Sequence, residues 1–157
     1  MGLEVQSATS SNHRGRPRTV GTPRQVTVEY LDLADFITIA AAVTGQSEAI
    51  VLRVANLDLA DSALHAPSAG FGDTEFYPDF VDKAAVLLVH LATNHPLPDG
   101  NKRAAWVALR MFVEINDWRW NTKPTVDDAE RAVLSVASGT WSTADASQWL
   151  RQYLSPA

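Results

Sequence analysis

With 157 residues, 46% of them hydrophobic and 20% charged, the chain has the length and composition of one globular domain with its own core. It contains no cysteine, which excludes a disulfide scaffold, thiolate zinc sites and a cysteine nucleophile, and fits a reducing compartment. The net charge of −5 is unevenly placed: residues 1–28 hold Arg14, Arg16, Arg18 and Arg24 against Glu4 alone, so the remainder is more acidic than the total implies. Such a body is poorly suited to tracking a nucleic-acid backbone, and direct nucleic-acid binding is not expected.

The 1–28 stretch lacks periodic apolar residues and reads as a disordered basic leader, leaving residues 29–157 as the domain. No apolar segment of the signal-peptide kind opens the chain, and the run Ala84 to Ala92 is too short for a bilayer. A cytoplasmic protein with no membrane partner is expected.

From Tyr30 onward the pattern predicts helices almost throughout. Leu33, Phe36, Ile37, Ala40 and Val43 share one helical face, with Gly45 as a C-cap. Ser47 caps a second helix through about Asn56, and a short third helix runs from Asp58 to His65 before Pro67. The turn-rich Ser68–Tyr77 stretch predicts a flap or weak hairpin, in which Glu75, Phe76 and Tyr77 could cover a ligand. Pro78 suits the first turn of the next helix, which is apolar nearly all round and so predicted to be central. Pro96 and Pro98 end it. Gly100 and Asn101 open another long helix, closed at Asn116-Asp117. Two more start near Thr125 and Ser142, the last carrying Trp149, Leu150, Tyr153 and Leu154. The predicted fold is an all-α compact bundle with little or no sheet. His65, His90, Asp79, Asp82 and the late tryptophans are assigned structural or solvated roles, while Trp106 faces the site or turns away from it according to helix phase.

The connection His95-Pro-Leu-Pro-Asp-Gly-Asn-Lys-Arg103 carries more chemistry than a helix–helix loop needs. A helix starting at Gly100 presents unpaired N–H groups and a positive dipole end, a natural anion seat that glycine leaves open. Asn101 adds a donor, Lys102 and Arg103 neutralise phosphate charge, and Asp99 can bridge Mg²⁺ to phosphates. His95 is placed to accept a proton from an incoming hydroxyl.

The string His95-x-x-x-Asp99-Gly100-Asn101-Lys102-Arg103 resembles the signature of the Fic/Doc superfamily, in particular its Doc, or death-on-curing, branch. The similarity runs from about Tyr30 to the C-terminus and includes Phe76-Tyr77-Pro78 and the Lys83-Ala-Ala-Val-Leu-Leu helix. The resemblance implies a helical Fic/Doc bundle with ATP as phosphate donor and Mg²⁺ as cofactor. It makes His95 the base, Asp99 the metal-binding acid, Gly100, Asn101 and Lys102 the anion turn, and Arg103 the nucleotide-holding arginine. AMP-transferring relatives have glycine where this chain has Lys102 and a second arginine where it has Trp106. Both differences match the Doc branch, whose members are kinases of a threonine in elongation factor Tu, arrest translation, and pair with a Phd-like antitoxin. An AMP transferase using the same loop, and a non-catalytic module that binds nucleotide or antitoxin, are the alternatives. Leu97 stands where the family usually has phenylalanine, with less surface to bury. Self-inhibiting relatives carry Ser or Thr, three residues, Glu, then Gly or Asn. Here Thr44-Gly-Gln-Ser-Glu48 is followed by Ala49 and interrupted by Gly45, so restraint is expected from another polypeptide.

Overall fold

The computed structural model describes residues 27–157. The expected disordered leader at 1–28 therefore lies outside the described residues except for Thr27 and Val28, and Val28 already packs against the core. Helices are α1 (Leu33–Thr44), α2 (Glu48–Val54), α3 (Leu57–His65), α4 (Phe80–Asn94), α5 (Asn101–Ile115), α6 (Val126–Ala137) and α7 (Thr143–Arg151). A 3₁₀ turn (Ala66–Ser68) follows α3. The short strands are β1 (Gly70–Phe71), β2 (Thr74–Glu75), β3 (Trp118–Trp120) and β4 (Leu154–Pro156). The predicted helical architecture is the observed one.

Local sequence explains the helix starts. Asp32 and Asp35 form a reciprocal capping box on α1, as Ser142 and Asp145 do on α7. Ser47, Asn56 and Thr125 each accept a backbone N–H of the first turn of α2, α3 and α6. Gly45 ends α1 in the left-handed conformation at φ 69°, where any side chain would be strained. Pro78 is not in a first turn: α4 begins at Phe80 with Asp79 as N-cap, so the proline precedes the cap.

Ten of the 15 residues of α4 are buried, too many for one apolar face, so α4 is the axis of the bundle. It packs against α3, α5, α6 and α7. An aromatic column, Tyr30–Phe112–Phe80–Trp118, with neighbouring ring centroids 6.2, 5.0 and 4.7 Å apart, joins the chain before α1 to α5, α4 and β3. Buried Asn116 fixes the same corner: its side chain accepts from Glu29 N–H at 2.7 Å and donates to Glu29 and Phe112 carbonyls, each at 2.8 Å.

Three features depart from the sequence reading. β3 and β4 form an antiparallel ladder pairing Trp118 with Pro156 and Trp120 with Leu154, so Tyr153 and Leu154 lie beyond α7 rather than in it. Asp79 and Asp82 are not merely solvated dipole complements, because both bind Arg151, and Ser147 also donates to Asp82. Those contacts tie the start of α4 to the end of α7 and raise the Arg151 pKa, chiefly through the hydrogen bond that Arg151 donates to Asp79. The predicted hairpin exists as β1–β2, but exposed Glu75 is tied down by an ion pair with α4. Its carboxylate lies 3.1 Å from Lys83 Nζ, which is 1% exposed, donates to the Pro67 carbonyl at 3.2 Å, and sits 5.6 Å from the Tyr30 ring centre. These contacts fasten the hairpin to α4 at that point.

Candidate functional site

The loop from His95 to Gly100 is held in shape by its neighbours before any ligand is considered. α4 ends because His95 precedes Pro96, and His95 takes the left-handed conformation at φ 51°, ψ 57°. Histidine pays a steric cost there that the surrounding contacts must offset. The Pro96 carbonyl accepts from Asn56 N–H at 2.7 Å, and Asn94 Nδ2 donates to the Leu59 carbonyl at 3.2 Å. Leu97 is buried, so leucine anchors the loop in the core as phenylalanine would. The junction of α2 and α3 thus fixes one side of the loop.

Asn101 fixes the other side. Its Oδ1 accepts from Leu97 N–H at 2.9 Å and its Nδ2 donates to the Leu97 carbonyl at 2.8 Å. The side-chain amide expected to serve as a phosphate donor thus spends its oxygen and one of its two N–H donors within the loop. Gly100, the N-cap of α5, has φ 88°, and a Cβ there would lie 3.2 Å from Thr44 Cγ2. The positive φ favours glycine, and the close methyl makes a larger residue tighter still. No side chain caps α5, so its first-turn N–H groups are free to meet an anion. The Arg103 guanidinium folds back over this end, with Nη2 3.7 Å from where that Cβ would be.

All the residues singled out in the sequence, His95, Asp99, Gly100, Asn101, Lys102 and Arg103, line one cavity of about 280 Å³ together with Pro98. His95, Asp99, Lys102 and Arg103 are exposed, and the last three enter no ion pair among the described residues. An imidazole, a carboxylate and two cations therefore share one cavity at a helix N-terminus. Asp99 is a lone carboxylate, with no cluster of three or more His, Asp or Glu among the described residues. That donor set fits Mg²⁺, which takes most of its ligands from phosphate oxygens and water rather than from a protein cage. His90, by contrast, is half-buried on α4, and burial lowers its pKa.

Residues 6–113 match the model of the Fic/DOC family, a span that runs through the loop and nearly all of α5. The chain belongs to the Fic/DOC family. Within that family it is similar to Toxin Doc of Mycolicibacterium smegmatis, at 40% identity over 110 residues, which cover 70% of this chain and 82% of that protein. The matched span includes most of the arginine-rich stretch as well as α1 to α4, and so begins earlier than the resemblance read from Tyr30.

Sequence reasoning missed a second cavity beside the first. It occupies about 600 Å³ between α5, α6 and β3 and shares Lys102 and Arg103 with the loop cavity. Trp106 and Trp120 line it, so Trp106 faces this second cavity rather than the loop cavity. The Trp118-Arg119-Trp120 alternation was the available signal for β3, but three residues are too few for a period of two to stand out.

Proposed function

We propose that this Fic/DOC protein is a toxin that transfers the γ-phosphate of ATP to a protein hydroxyl, a threonine of elongation factor Tu, and so stops translation. The observation that carries this reading is the convergence of His95 and the uncapped N-terminus of α5 on one cavity, with Lys102 and Arg103 beside it. His95 takes the proton from the target hydroxyl as its oxygen bonds to the γ-phosphorus. The bond from that phosphorus to the β–γ bridging oxygen breaks, and ADP departs. The backbone N–H groups opening α5, with Lys102 and Arg103, hold the phosphate oxygens and balance the charge on the leaving group. Asp99 would hold Mg²⁺, which when bound supplies further charge neutralisation. Phosphoryl transfer depends mainly on positioning and charge, so a small preorganised loop is chemically sufficient.

Similarity to a protein named Toxin Doc supports an antitoxin partner, and the Doc-like features of the loop favour one of the Phd type. Thr44 ends α1 and Gly45 is left-handed, so Glu48 sits across a helix break from the segment that would have to present it to the loop. Restraint then comes from a separate chain that covers the loop. Expression of the protein alone in bacteria is expected to stop growth. His95→Ala, or co-expression of the small protein encoded beside it, is expected to restore growth. Normal growth with abundant, catalytically active protein and no antitoxin would rule out the toxin reading.

A further inference from the structure

The Thr44-Gly45 end of α1 presents no glutamate to the loop, yet it touches the loop at Gly100. The three heavy atoms nearest to the place of a Cβ on Gly100 are Thr44 Cγ2 at 3.2 Å, Arg103 Nη2 at 3.7 Å and Val43 Cγ2 at 3.9 Å. The last two residues of α1 therefore wall the cap of α5. Thr44 is half-buried, and its Oγ1 donates to the Ala40 carbonyl at 2.6 Å. A threonine side chain has one heavy-atom torsion, so a bond that fixes the hydroxyl also fixes the direction of the methyl. Ala40 is fully buried, which makes it a firm anchor. Gly100 has φ 88° and no side chain of its own to bond to the helix. Glycine reaches negative φ about as readily, so this conformation has to be held from outside. The Asn101–Leu97 bonds close the turn at its ends, and the Thr44 methyl closes it from α1.

We propose that Thr44 is a positioning residue for the anion seat: its methyl keeps Gly100 in the left-handed conformation that aims the first N–H groups of α5 at a phosphate. Thr44 acts through Gly100 rather than by touching the ligand. The inference rests on the loop being the seat of the transferred phosphate. Without the methyl, Gly100 gains access to other backbone conformations, and a ligand has to restore the competent one as it binds. That ordering cost appears as lost affinity, in proportion to the fraction of molecules whose turn is out of place.

Two substitutions separate the methyl from the hydroxyl. Thr44→Ser keeps the hydroxyl and its bond to Ala40 and removes only the methyl, whereas Thr44→Val keeps a methyl at that carbon and removes the hydroxyl. Titration calorimetry of the full chain with inorganic tripolyphosphate in Mg²⁺ buffer, beside thermal unfolding of the same samples, tests the role. Thr44→Ser should bind tripolyphosphate about 3- to 10-fold more weakly than wild type, the equivalent of one methyl's packing. Thr44→Val should recover the wild-type affinity to within about twofold, because the wall is restored. A methyl that served stability alone would lower the melting temperature of Thr44→Ser and leave its affinity unchanged. That result, or a loss in Thr44→Val as large as in Thr44→Ser, would overturn the positioning role while wild-type binding upheld the phosphate seat. If wild-type protein bound no tripolyphosphate, the phosphate-seat reading would fall and the role of Thr44 with it.

Discussion

His95→Ala is expected to lower phosphate transfer by about 10²- to 10⁴-fold, or more, while ATP affinity stays near the wild-type value. The split follows from geometry. The proposed anion seat is the backbone at the start of α5 together with Lys102 and Arg103, and none of these depends on the imidazole. Pro96 and the hydrogen bond from Asn56 N–H to its carbonyl hold the loop on the other side of His95, and both survive the substitution. Alanine tolerates φ 51° no better than histidine, so the loop gains no strain relief that could masquerade as a catalytic effect. Single-turnover rates and calorimetry on the same preparation check this. Retention of wild-type transfer would exclude His95 as the base.

Asn101→Ala should act through shape instead. It removes both bonds to Leu97 and leaves the Leu97 N–H and carbonyl without partners at a part-buried position, a cost of about 1–3 kcal/mol for each group left unsatisfied. Loss of the staple also frees the turn at Asp99-Gly100 that aims the first N–H groups of α5. Stability and nucleotide binding should therefore fall together, unlike the result for His95→Ala. Asn101→Asp separates the two bonds: a carboxylate can still accept from Leu97 N–H, but it faces the Leu97 carbonyl without a hydrogen to offer. Thermal unfolding should rank wild type above Asn101→Asp and Asn101→Ala. An Asn101→Ala protein with unchanged stability and unchanged ATP affinity would contradict the assigned role.

The readable parts of the fold are those whose cause is local. Ser47, Thr125 and Ser142 announce helix starts, Gly45 and Asn116 announce ends, and the apolar girth of α4 marks it as central. The loop was legible because its chemistry-bearing residues are contiguous, so folding had little left to assemble. What escaped depends on partners distant in sequence. Arg151 meets Asp79 and Asp82 about seventy positions away, and β3 finds β4 across two helices. Asn101 has a further role that the sequence did not show: only the path of the Leu97 backbone reveals that its side chain also staples the loop. Lys83 gave no signal at all, since its burial depends on a hairpin that folds back from eight residues earlier.

The central claim is that the terminal phosphate of ATP is what moves. Purified protein, Mg²⁺ and elongation factor Tu should be incubated in parallel with γ-labelled and α-labelled ATP, and the label on the factor counted. Lys102 and Trp106, which stand where AMP-transferring relatives have glycine and a second arginine, lead us to expect label on the factor from the γ-position only, and none with His95→Ala. Transfer of the α-label would contradict the account and make the protein an AMP transferase.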